Sequence, residues 1–140
     1  MIPAFKMTHR VEFADTDMAG IIHFSSYFRY MEVTEHAFFR SLGLSITGTR
    51  EIGWPRVHVS CDYRSPLRFE DEVEVHLSIS ELKSKSITYS HTFIKVGGDS
   101  VVVATGKLTA VCVRADAEGV MKATNIPDHI LVLLRPHVTV

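Results

Sequence analysis

Along most of this chain hydrophobic and polar residues alternate with a period of two, and along one stretch the period lengthens to that of a helix. Phe5, Met7, His9, Val11 and Phe13 alternate with Lys6, Thr8, Arg10 and Glu12, which predicts a half-buried strand. Over residues 26–42, at about 100° per residue, Arg29, Glu32, His36 and Arg40 share one narrow polar stripe. Phe28, Met31, Phe38, Phe39 and Leu42 fill the opposite side, and Tyr27, Tyr30 and Val33 widen it. A helix covered around most of its circumference belongs in the middle of a domain. Ser25 or Ser26 supplies an N-cap, and Gly43 fits the left-handed position after the last turn.

The remainder reads as sheet. Residues 45–53 are polar and glycine-containing, a loop, and Trp54-Pro55 precedes a strand in which Val57, Val59, Cys61 and Tyr63 alternate with polar neighbours until Ser65-Pro66 interrupts it. Over residues 72–80, Val73, Val75, Leu77 and Ile79 face one way and Glu72, Glu74, His76 and Ser78 the other. Lys83-Ser84-Lys85-Ser86 makes a polar turn into a strand over 87–96, and Gly97-Gly98-Asp99 closes a hairpin into a run over 101–114. Gly106 within that run marks a bulge or a close backbone approach. A turn over 116–119 follows, and Pro127 with Asp128 opens a short helical segment over 130–134. Strand, long helix, then strands joined by short turns describes an α+β domain with an antiparallel sheet curled around one helix.

Composition narrows the function classes. A chain of 140 residues fits one domain spanning 1–140. A formal net charge of -1 supplies no basic field for nucleic acid. Apolar runs are too short for a signal peptide or a membrane span, so a cytoplasmic location and no membrane partner are expected. Cys61 and Cys112 lack C-x-x-C spacing and read as small buried residues rather than a disulfide. The eight histidines show no metal-ligand spacing, so no metal is expected.

Candidate chemistry gathers at Asp15-Thr16-Asp17-Met18-Ala19-Gly20, a turn just ahead of the helix. It brings carboxylates close to free N–H groups and the positive end of a helix dipole, where an oxyanion would be favoured. Spacing leaves two readings open: a hydrolytic site, or two acids serving as turn and dipole partners. Glu35 stands out in the middle of the apolar face. It is either a second acid with a raised pKa near the acyl pocket, or a glutamate that pairs with a basic residue or reaches a subunit interface, and the latter is the reading favoured here.

Asp15-x-Asp17-x-x-Gly20-Ile21-Ile22-His23-Phe24, with Tyr27 and Glu32, resembles the 4-hydroxybenzoyl-CoA thioesterase type of the hotdog-fold acyl-CoA thioesterases. The likeness continues through Cys61-Asp62-Tyr63-Arg64-Ser65-Pro66-Leu67-Arg68-Phe69-Glu70-Asp71-Glu72-Val73, Ala104-Thr105-Gly106 and Val111-Cys112-Val113, nearly the whole chain. The resemblance implies a hotdog fold and hydrolysis of an acyl-CoA thioester with no dissociable cofactor. It makes Asp17 the catalytic nucleophile or general base and a backbone amide near Phe24 the carbonyl-polarising donor. His23 either lines the acyl pocket or packs at the helix entry, and Tyr27 either lines it or belongs to the core. The turn carrying Lys85 and Ser86 either lies near the CoA phosphates, as the resemblance implies, or is a solvated hairpin tip. One small curled sheet cannot cover so apolar a helix from every side and free strand edges invite pairing, so a homodimer or a homotetramer built from dimers is expected, and the resemblance implies sites at subunit interfaces. The alternative is a non-catalytic acyl-CoA or acyl-carrier binding module of the same fold.

Overall fold

The chain runs β1 (Phe5–Arg10), α1 (Ser26–Ser41), β2 (Ile52–Gly53), β3 (Arg56–Tyr63), β4 (Glu72–Leu82), β5 (Ser86–Lys95), β6 (Val102–Val111), β7 (Val113–Ala115), β8 (Met121–Ala123) and α2 (Asp128–Leu134) in a computed structural model. The structure describes residues 2–47 and 51–139. Five strands form one antiparallel sheet in the order β1-β4-β5-β6-β3, and β2-β7-β8 form a second, smaller sheet. This is the α+β arrangement that the alternating pattern predicts.

Alternation places the core. Val73, Val75, Leu77 and Ile79 of β4 and Ile87, Tyr89, His91 and Phe93 of β5 all point to one face and are buried. Onto that face α1 sets Tyr27, Tyr30, Met31, Thr34, Glu35, Phe38 and Phe39, leaving Arg29, Glu32 and Arg40 in solvent. Each large apolar side chain so buried contributes about 1.5–3 kcal/mol. Gly106 proves to be a close approach: a Cβ there would lie 1.9 Å from Met31 Cε, so glycine is what lets the helix sit down on β6.

The core has two apolar clusters with a polar belt between them. One gathers Phe38, Phe39, Leu77, Ile79, Tyr89, Leu108 and Leu134, the other Tyr27, Tyr30, Met31, Val73, Val75, Phe93 and Val103. Thr34, Glu35 and His91, all buried, lie between them along the helix and β5. Arg56 donates to Glu35 Oε1 at 2.9 Å, and His91 Nε2 lies 3.1 Å from Oε2, misaligned for a hydrogen bond. The pairing is therefore what accounts for Glu35, since a buried carboxylate without a cation would be strongly destabilising.

Several expectations need correction. The first strand stops at Arg10 rather than reaching Phe13, because Glu12 N–H donates to Asp15 Oδ2 and curls the chain into a 3-10 turn that leaves Phe13 exposed. Ser25 precedes the helix but makes no side-chain cap, whereas Gly43 takes φ +79° as expected. Ile52 and Gly53, read as loop, pair with Arg114 and Val113; residues 48–50 of that loop lie outside the described residues. The run over 101–114 is two strands in two sheets, parted where Cys112 N–H turns to Lys85 O. Cys112 is buried, but Cys61 on the edge strand β3 is only half buried. The exposed strand β8 had no alternation to reveal it.

Candidate active site

Asp15 anchors the turn. Its carboxylate accepts from Tyr30 Oη at 2.6 Å and from Glu12 N–H at 2.9 Å, and pairs with Arg29; its carbonyl accepts from His23 N–H at 2.7 Å and Ser26 Oγ at 3.0 Å. Burial pushes this carboxyl up, but the bonds from Tyr30 and Glu12 and the Arg29 charge outweigh it and hold it below the ordinary value. The His9 ring stacks on Tyr30 with centroids 4.7 Å apart, and burial followed by the Arg29 charge keeps its pKa low. With every contact turned inward, Asp15 ties the turn to the helix and is not available to a substrate.

Asp17 is held differently. Its Oδ1 accepts from Ala19 N–H at 2.8 Å and Ile21 N–H at 3.4 Å, while no donor meets Oδ2 among the described residues. The turn closes through Gly20 N–H to Asp17 O at 3.0 Å, with Gly20 at φ +79°, a conformation that glycine adopts without strain. Beyond it Ile22 N–H bonds to Leu67 O, laying residues 20–22 beside the segment that follows β3.

These two segments and the start of α1 enclose a cleft of about 380 Å³ lined by Asp17, Ile21, Ile22, Phe24, Tyr27, Tyr63, Arg64, Ser65 and Pro66. Tyr27 packs edge-on to Tyr63 and Phe93, with centroids 5.1 and 5.2 Å apart. Burial, then the neighbouring Cys61, lifts the Tyr27 and Tyr63 hydroxyls to about 12, so both keep their protons at neutral pH. Asp17 and Arg64 are the charged side chains lining the cleft. At its helical edge Ser26 N–H bonds to His23 O and Ser25 N–H to His23 Nδ1, but Phe24 N–H finds no acceptor among the described residues.

Of the residues singled out in the sequence, Asp17, Phe24 and Tyr27 share this cleft. His23 is adjacent, but its ring is turned to Ser25 Oγ at 2.7 Å and to the Phe24 ring rather than into the cleft. Lys85 and Ser86 lie at the far end of β5, roughly 30 Å along the strand from the sheet end that carries Asp17, so one chain does not bring them together. Tyr63 and Arg64 are lining residues that pattern reading missed. Both stand in the segment quoted for its resemblance, yet neither alternation nor spacing assigned them chemistry. Among the described residues no three of His, Cys, Asp or Glu come together as metal ligands would, and no helix is long and apolar enough to cross a membrane.

Known proteins share both sequence and shape. The family model described as the thioesterase-like superfamily matches residues 11–134. A relative in Aquifex aeolicus is 34% identical over 133 residues, covering 94% of this chain and 98% of its own. The 4-hydroxybenzoyl-CoA thioesterase of Pseudomonas sp. strain CBS-3 is 25% identical over 134 residues, covering 91% and 94%. Among solved structures, that of a gentisyl-coenzyme A thioesterase superposes with a TM-score of 0.81 at 32% identity, over 93% of this chain and 99% of the other. The sheet curled on one helix is thus the hotdog fold, and with the family model spanning the turn, the cleft and the helix alike, this chain belongs to the thioesterase-like superfamily.

Proposed function

We propose that this protein hydrolyses an acyl-CoA thioester, with Asp17 as the acting carboxylate and Phe24 N–H as the oxyanion donor. The observation that carries the reading is the pairing, in one cleft, of a carboxylate with one oxygen tied and one free and a backbone amide with no acceptor of its own. In this scheme Asp17 Oδ2 takes a proton as water oxygen bonds to the thioester carbon. The charge developing on the carbonyl oxygen meets Phe24 N–H at the positive end of α1. When the C–S bond breaks, the proton passes from Asp17 to the departing CoA sulfur, leaving the free acid and CoA. As a nucleophile Asp17 would instead form a mixed anhydride that water then opens.

The cleft walls of Phe24, Tyr27 and Tyr63 favour a flat, aromatic acyl group, in keeping with relatives named for 4-hydroxybenzoyl-CoA and gentisyl-coenzyme A. The turn carrying Lys85 and Ser86 borders a groove of about 440 Å³ lined by Leu82, Lys83, Ser84, Leu131, Arg135 and Val138, where two cations flank an apolar floor. Such a groove suits a nucleotide with phosphates. Because it stands a sheet's length from Asp17, a second copy must supply it if it is to serve the same substrate. We therefore read the working protein as a homodimer or a tetramer of dimers, in the cytoplasm where CoA esters are made and used. The test is release of free thiol from aromatic, short-chain and long-chain acyl-CoA esters: turnover of at least one, abolished in Asp17→Asn, supports the reading. Tight binding without turnover by the wild type replaces hydrolysis with a binding role.

A further inference from the structure

The peptide that follows the proposed oxyanion donor is gripped at both ends. Tyr63 Oη donates to Phe24 O at 2.9 Å, reaching across from β3, a strand 39 residues further on. Ser25 N–H, the other end of that peptide, donates to His23 Nδ1 at 3.2 Å, and the same ring nitrogen is 2.7 Å from Ser25 Oγ. The Phe24 N–H itself belongs to the preceding peptide, whose carbonyl, His23 O, accepts from Ser26 N–H at 2.9 Å. Only the Phe24 N–H between these grips is left without a partner among the described residues. Phe24 lies before the first residue of α1, and its peptide is tied to the helix through the bond from Ser26 N–H to His23 O. The residue is 62% exposed, and its ring stacks on that of His23 with centroids 4.5 Å apart. The direction of its amide therefore depends on the Ser26 bond and on how firmly the Phe24–Ser25 peptide beside it is held.

We infer that Tyr63 and His23 are positioning residues that together aim the Phe24 amide into the cleft, with Tyr63 tying the start of α1 to the edge strand β3. Neither needs to touch the reacting atoms. Tyr63 acts through its hydroxyl, and its ring separately lines the cleft beside Tyr27. The inference rests on the hydrolase reading above and adds to it the groups that hold the donor in place. A preorganised donor helps the transition state more than the ground state, so loosening it should slow turnover while leaving substrate affinity nearly unchanged.

Tyr63→Phe keeps the ring and removes the bond to Phe24 O. On whichever ester the wild type cleaves best, kcat should fall about ten- to a hundredfold, with KM within about twofold. His23→Ala releases the other end of the same peptide with Tyr63 intact and should show the same split, so a folding defect in one variant leaves the other to decide. A spectroscopic reading separates aiming from mere support. In an Asp17→Asn background that binds ester without cleaving it, the thioester carbonyl stretch should move to lower frequency on binding, and adding Tyr63→Phe should abolish much of that shift. Wild-type kcat in both Tyr63→Phe and His23→Ala, or an unchanged carbonyl shift, overturns the inference while leaving hydrolysis standing. Absence of turnover by the wild type on every ester overturns both.

Discussion

Two carboxylates separated by a single residue do opposite jobs here. Asp15 accepts from Tyr30, Glu12 N–H and Arg29 and faces inward, whereas Asp17 keeps one oxygen free at the cleft. Asp17→Asn should retain the fold, because the amide oxygen still accepts from Ala19 N–H, while kcat should drop by roughly two to four orders of magnitude in a thiol-release assay. Asp15→Asn should do the reverse, costing about 1–3 kcal/mol in a denaturant melt because buried donors lose a charged acceptor. That loss carries a pH signature. Since the Asp15 carboxyl is held below its ordinary value of 3.8, its contribution is fully present above that value and is lost as pH falls through the lower folded one. The stability gap between wild type and Asp15→Asn should therefore be constant near neutrality and shrink below about pH 4. The acid pair and the glycine were legible in the sequence, but which acid faced inward was not. That depended on Tyr30 and Arg29 folding back one turn into the helix, a contact between residues 14 and 15 positions apart.

At the scale of elements, what could be read from periodicity was α1, β4 and β5, whose buried faces are regular, together with the special standing of Gly106. What could not be read was that β3, whose strand the alternation did show, is an edge strand. Its Val57 and Val59 alternate like core residues but lie on the edge of the sheet with 61% and 45% of their surfaces exposed, and Cys61 shares their position. Alternation reports which face a side chain takes, not whether anything covers that face. The contact between α1 and β6 offers a direct test. Gly106→Ala forces the Met31 side chain to move and should cost about 1–3 kcal/mol, a penalty softened by the flexibility of methionine. Combining it with Met31→Ala should cost clearly less than the sum of the two single changes, which thermal melts of all four proteins would show.

The main sheet ends on two open edges, β1 and β3, and on β3 the apolar Val57 and Val59 stand uncovered. An edge of this kind is a template for pairing with another copy. Light scattering at micromolar concentration should give a dimer or tetramer, and Val59→Lys should shift it toward the single chain; a wild-type monomer would sink the proposed assembly. The groove beside Lys83 and Arg135 makes a linked prediction. Lys85 is not among the groove's lining residues but follows Ser84 at its border. Since a remote phosphate contact is made equally in the ground and transition states, Lys85→Glu should raise KM for CoA esters severalfold with kcat nearly constant. The same substitution should matter less in the Val59→Lys protein if the groove serves the neighbouring copy's cleft.

The belt of Thr34, Glu35 and His91 divides the interior into two compartments with separate neighbours. Changes made around Phe38, Ile79, Leu108 and Leu134 should couple only weakly to Tyr27, Phe93 and the cleft they support, because energetic coupling fades between residues that are not in contact. The chain thus has room to vary one half without disturbing the other. Redesign for heat tolerance would begin in the first compartment, and redesign for a new acyl group in the second.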